Sequence, residues 1–116
     1  MHNFKELLVW NWSISFAKRI YEISSASPSD EKFGLVSQIR RCAVSISSNI
    51  AEGAGRKTNK DFSNSLSISL GSQFEIETQL IISNEVGFVS QNDLENLLIE
   101  LNEIQKMTRA LIDKFS

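Results

Sequence analysis

Four stretches of the chain repeat apolar residues at the three-and-four spacing of an α-helix, and short breaks rich in Gly, Ser or Pro separate them. The spacing predicts helices over about residues 5–25, 30–53, 59–85 and 91–114. In the first, Leu8, Trp12, Phe16, Ile20 and Ile23 share one side, with Val9 at its edge. Leu7, Trp10, Ile14, Ala17 and Tyr21 form a second stripe nearly opposite. A helix that is apolar on two sides is buried on two sides. In so small a chain the second stripe is therefore a candidate surface for another molecule. The second helix turns Leu35, Val36, Ile39, Cys42, Ala43, Ile46 and Ile50 to the core. Its other side carries Arg41, Ser45, Ser48 and Glu52, short in the middle and charged at the ends, where another backbone can come close. The third helix aligns Phe62, Leu66, Leu70, Phe74, Ile76, Leu80 and Ile81, and the fourth aligns Leu94, Leu97, Leu98, Leu101, Ile104, Thr108, Leu111, Ile112 and Phe115.

The breaks carry their own signals. Ser29 or Asp30 suits the start of the second helix, Thr58 with Asp61 the third, and Ser90 with Asp93 the fourth. Gly53-Ala54-Gly55 is expected to end the second helix and Gly87 the third. Gly71 in mid-helix costs about 1 kcal/mol of propensity, which a close helix crossing would explain. Glu77 falls among apolar neighbours and needs a partner. An antiparallel hairpin sets it level with residues 37–41, so a partly buried pair with Arg40 or Arg41 is expected, with Arg40 better placed. No stretch alternates as a strand does. The fold expected is all-α, a single antiparallel up-down-up-down four-helix bundle over residues 1–116.

Charge alters this picture modestly. Net charge is −2, yet residues 1–60 sum to +4 and residues 61–116 to −6. Such asymmetry accompanies nucleic-acid surfaces and head-to-tail association, and it also arises when antiparallel helices pair basic with acidic faces. The candidate nucleic-acid contacts are Lys18, Arg19, Arg40, Arg41, Arg56, Lys57 and Lys60. No run of apolar residues is long enough to span a membrane and no secretory pattern opens the chain, so a cytoplasmic location is expected.

Chemistry adds little. His2 is the sole histidine and lies in a terminus expected to fray. The one cysteine, Cys42, is on the core side of its helix and reads as a small buried hydrophobe. The Glu-x-x-His pairs of di-iron bundles are absent. Gly53-Ala54-Gly55-Arg56-Lys57 lacks the spacing and preceding strand of a phosphate loop. No catalytic residue, metal site or cofactor is expected, and no enzyme.

Several segments carry a resemblance in order and spacing. They are Phe4-Lys5-Glu6-Leu7-Leu8-Val9-Trp10, Gly34-Leu35-Val36-Ser37-Gln38-Ile39-Arg40-Arg41, Ser45-Ile46-Ser47-Ser48-Asn49-Ile50-Ala51-Glu52-Gly53, Gly71-Ser72 and Glu75-Ile76-Glu77-Thr78-Gln79-Leu80. Together they resemble the 23S ribosomal RNA intervening-sequence protein family, also called four helix bundle proteins. The resemblance implies a left-handed up-and-down bundle that assembles into a ring, typically a pentamer. Some members are encoded within insertions in 23S ribosomal RNA genes, and the family's biochemical role is not established. A related group, the accessory variability determinant of diversity-generating retroelements, is similar in fold and assembly. It binds nucleic acid and a reverse transcriptase through a basic surface. Cys42, Ser47, Ser65 and Ser69 depart from the family's usual alanine, proline, aromatic and alanine. The acidic balance departs from what strong nucleic-acid binding needs.

Two functional expectations follow. The first is a homo-oligomer, a pentamer on the resemblance, that serves as a scaffold for a partner protein. Its interface would use Leu7, Trp10, Ile14, Ala17, Tyr21, Arg41, Ser45, Ser48 and Glu52. The alternative is a ring that binds RNA or DNA through the seven cations named above. Neither involves a membrane.

Overall fold

The computed structural model describes residues 1–25 and 34–116. A short 3-10 turn, Phe4–Glu6, leads into α1 (Leu8–Ser24), followed by α2 (Leu35–Ala54), α3 (Asn59–Glu85) and α4 (Gln91–Phe115). Each helix packs on the next, and α4 closes back on α1. Contacts between neighbours run in opposite chain directions. Cys42 meets Ser72 and Ile46 meets Ser69, while Ser63 meets Ile112 and Glu77 meets Gln105. The result is an all-α antiparallel four-helix bundle, 43 × 24 × 20 Å.

The helix boundaries follow from local chemistry. Leu7 is extended (φ −78°, ψ 124°), which separates the opening turn from α1. The Asn11 carboxamide then donates to the carbonyls of Lys5 and Leu7 across that break. Thr58 Oγ1 accepts from the Asp61 amide, and Ser90 Oγ from the Asp93 amide, each at 3.1 Å. Gly87, at φ 88°, ends α3 in a Schellman motif, with the Phe88 amide on Ser83 O and the Gly87 amide on Asn84 O. The cap expected at Ser29 or Asp30, and the expected start of the second helix, lie outside the described residues.

The core contains Phe16 and Ile20 of α1, Ala43, Ile46 and Ile50 of α2, Phe62, Leu66 and Ile76 of α3, and Leu97 and Ile104 of α4. It also holds Ser13, Ser69, Gln73, Ser83 and Thr108. Ser13 and Ser83 donate back to carbonyls one turn earlier, and Ser69 donates to Ile46 O at 2.8 Å. Gln73 Nε2 donates to Thr108 Oγ1 at 2.9 Å and to Ser69 Oγ at 3.3 Å, whereas its Oε1 has no partner. These polar positions turn α1 and α3 away from the orientation their hydrophobic pattern suggests. On α1 the buried row is Val9, Ser13, Phe16, Ile20 and Ser24, so Leu8 and Trp12 are outside the core. On α3 the buried row includes Ser63, Ser69, Gln73, Gln79 and Ser83, and Phe74 and Ile81 are exposed.

Three further expectations are corrected. The Arg40–Glu77 or Arg41–Glu77 pair is not formed. Glu77 lies on the α4 flank of α3, where its Oε1 accepts from Gln105 Nε2 at 2.8 Å. Arg40 lies on the α1 flank of α2, where it donates to Ser24 Oγ and Tyr21 O, and Arg41 is exposed. The 53–55 segment does end α2, at Ala54 with Gly55 as its cap, but the close crossing expected at Gly71 is found at Gly53 instead. Gly53 remains helical at a crossing so tight that a Cβ there would lie 2.5 Å from Ser65 Cβ, whereas a Cβ on Gly71 would meet nothing within 4 Å. Finally, His2 does not fray. Its amide donates to Ala54 O at 2.7 Å, and its ring sits 4.9 and 4.8 Å from those of Phe62 and Phe115.

Candidate interaction surfaces

Because serine and glutamine occupy core positions, apolar side chains are displaced to the outside of the bundle. They gather in three places. Between α1 and α4 a groove of about 690 Å³ is lined by Leu8, Trp12 and Ile99, with Arg19 and Glu100. Leu8 is 64% exposed and Ile99 68%. The Arg19 guanidinium donates to Glu100 Oε2 at 2.8 Å, and Glu100 is mostly buried. On the outside of α1 and α2, Ile14, Tyr21 and Val44 are exposed. The Arg40 guanidinium covers the Tyr21 ring at 4.6 Å, a cation–π contact that holds Arg40 on its own chain. Along α3, Ile68, Phe74, Ile81, Ile82 and Val86 are exposed, with Gly71 open among them.

The expected self-association stripe is divided by this arrangement. Leu7, Trp10 and Ala17 pack in part against their own core, while Ile14 and Tyr21 remain outside. On α2, Arg41, Ser48 and Glu52 are exposed. Ser45 is instead half-buried at the α2–α3 seam, its hydroxyl 2.9 Å from that of Ser72. Pattern reading missed Leu8, Trp12 and Ile99 as surface residues. Ile99 did carry a signal, since it is an apolar residue off the apolar stripe of α4.

The seven candidate cations do not form one patch. Arg19 and Arg40 are engaged as described. Arg56, Lys57 and Lys60 are exposed together at the α2–α3 turn and form no ion pair among the described residues, while Lys18 and Arg41 are exposed on other helices. At the seam, a recess of about 280 Å³ is lined by Arg41, Cys42, Ser45, Glu75 and Gln79. Cys42 Sγ donates to Ser72 O at 3.1 Å. Burial, with the Glu75 carboxylate adding to it, pushes the thiol pKa up to about 12. At neutral pH Cys42 is therefore a protonated thiol and a poor nucleophile. Among the described residues no three His, Cys, Asp or Glu side chains gather where they would hold a metal ion, and no helix is long and apolar enough to cross a membrane.

A family model described as 23S rRNA-intervening sequence protein matches residues 5–110. The fold is similar to the crystal structure of a protein of unknown function from the S23 ribosomal protein family of Bacteroides thetaiotaomicron VPI-5482. The two are 27% identical over 90% of this chain and 98% of that one, with a TM-score of 0.83. No curated protein matches the chain.

Proposed function

The chain belongs to the 23S rRNA-intervening sequence protein family, and from that premise we propose that it acts as a homo-oligomeric helical-bundle scaffold, a pentamer, that works by binding a partner protein and not by catalysis. The observation that carries this reading is the inversion of α1 and α3. Leu8, Trp12, Ile68, Phe74 and Ile82 are outside while Ser13, Ser69, Gln73 and Ser83 are inside. Single exposed apolar residues are ordinary on a monomer, whereas rows of them on several helices mark contact surfaces. Sedimentation at micromolar concentration tests the reading. It predicts a species several times the 13.1 kDa of one chain; a lone 13.1 kDa species overturns it.

A second reading rests on Arg56, Lys57 and Lys60, which are exposed at one turn and form no ion pair among the described residues. Oligomerisation would repeat this small patch once per subunit and convert weak phosphate contacts into avid ones. It predicts RNA or DNA binding that falls steeply with salt. No gel shift with structured RNA at low salt would sink it.

A further inference from the structure

We propose that the recess at the α2–α3 seam binds a small neutral α-amino acid, with Arg41 on its carboxylate and Glu75 on its ammonium group. Gln38, Arg41, Cys42 and Ser45 of α2 line the recess with Glu75 and Gln79 of α3. All six belong to one chain, so the site goes beyond the self-association reading and does not depend on it.

The recess holds opposite charges that do not meet. Arg41 and Glu75 both line it, yet they form no ion pair with each other or with any other described residue. In the α1–α4 groove, by contrast, Arg19 and Glu100 close on each other at 2.8 Å. The recess also borders an unsatisfied group. Gln79 is only 8% exposed, and its Oε1 has no hydrogen-bond partner. A buried acceptor without a donor is costly, and a ligand that supplies the donor recovers that cost. The other polar groups of the wall are already engaged. Ser45 Oγ lies 2.9 Å from Ser72 Oγ and accepts from Asn49 Nδ2 at 3.0 Å, while Cys42 Sγ donates to Ser72 O. The Cys42 thiol stays protonated at neutral pH and adds no charge. Recognition therefore falls to one cation, one anion, the unpaired carboxamide of Gln79 and the exposed carboxamide of Gln38.

That set fits a zwitterion. A guanidinium gives a carboxylate two parallel N–H bonds. An ammonium group has three donors and no acceptor, enough for the Glu75 carboxylate and for Gln79 Oε1 once the Gln79 amide turns toward the recess. A lone anion would lie beside Glu75 and a lone cation beside Arg41, each against a like charge. A charged ligand side chain would bring the same penalty, which favours a neutral one. A volume of about 280 Å³ gives room for a free amino acid with a short side chain and not for a peptide of several residues. So few ligand atoms give an expected Kd of about 0.1–1 mM.

Isothermal titration of the full chain with L-alanine, L-serine and L-glutamine tests the site. At least one should bind saturably in this range, one molecule per chain. L-Alaninamide lacks the carboxylate and N-acetyl-L-alanine lacks the ammonium group, and each should bind about tenfold more weakly than L-alanine. Arg41→Gln should weaken L-alanine about tenfold and erase the preference over the amide. Glu75→Gln should do the same and erase the preference over the N-acetyl compound. Both side chains are exposed, and far-ultraviolet circular dichroism checks that the variants keep the bundle. Absence of saturable binding by all three amino acids would overturn the proposal. So would equal binding of L-alanine and its two derivatives, or variants that bind like the parent. Sedimentation of the same samples separates the two readings: a monomer that binds keeps this site and loses self-association, and an oligomer that does not bind does the reverse.

Discussion

Replacing Gly53 by alanine places a Cβ 2.5 Å from Ser65 Cβ, 3.0 Å from Ser65 Oγ and 3.1 Å from Phe62 Cδ1. The nearest atom is attached directly to the α3 backbone, so no rotamer change relieves the contact. Helix α2 or α3 must shift near their shared turn. Overpacking of this kind costs about 1–3 kcal/mol, and a contact this short belongs in the upper part of that range. Alanine returns about 1 kcal/mol of helix propensity. The expected net loss is about 1–2 kcal/mol. Gly71→Ala receives the same propensity gain with nothing within 4 Å to oppose it, and should stabilise the chain by up to about 1 kcal/mol. Urea denaturation of the three proteins at one chain concentration measures both effects, with unchanged m-values required for the comparison. The two variants should melt on opposite sides of the parent, at about 4 °C or more per kcal/mol for a domain of this size. Ser65→Gly added to Gly53→Ala should recover part of the loss, because it removes the opposing Cβ; Ser65→Ala should not. A Gly53→Ala protein as stable as Gly71→Ala would refute the claim that α2 and α3 touch backbone to backbone at this point.

Other predictions test the polar core and the closed end of the bundle. Thr108→Val removes the nearer of the two acceptors of Gln73 Nε2 in a fully buried site, leaving Ser69 Oγ at 3.3 Å, and should cost about 1–3 kcal/mol, whereas Gln73→Met also removes an unpartnered oxygen and should cost less; denaturant melts distinguish them. His2→Ala loses ring contacts with Phe62 and Phe115 and should destabilise by about 1 kcal/mol, an effect absent if the terminus were frayed. The Cys42 thiol titrates near 9 when unfolded and is pushed up to about 12 when folded. The folded state therefore favours the neutral form. Its contribution is full below pH 9 and declines as pH rises toward 12, by up to about 1.4 kcal/mol per pH unit relative to Cys42→Ala. In keeping with this, Cys42 should resist alkylation near pH 8 until the chain is unfolded.

How much of this was legible in the sequence varied from helix to helix. The stripe of α4 and the caps at Thr58 and Ser90 were plain, because an ordinary one-sided helix and a serine or threonine cap are local signals. The fold class follows from four such periodic stretches. What escaped was the facing of α1 and α3. The hydroxyls of Ser13, Ser69 and Ser83 and the amide nitrogen of Gln73 find acceptors within the core, and hydrophobic periodicity counts these residues as surface. Leu8 and Trp12 were consequently placed inside, and the groove they line with Ile99 was not anticipated. The glycines were recognised as special, but whether a glycine marks a close approach depends on what lies across from it, and helix angle alone does not place Ser65 over Gly53. Glu77 was read correctly as needing a partner, and the carboxamide of Gln105 supplies it. The partner is a neutral donor on α4, across the opposite seam from the cations of α2.

The central claim is that the apolar residues outside this bundle are covered by further copies of the same chain. Light scattering at low salt and again near 1 M salt measures it most directly. The account predicts a mass several times 13.1 kDa, five times for a pentamer, that persists in high salt because the contacts are chiefly apolar. A mass of 13.1 kDa at micromolar concentration in both conditions would contradict it.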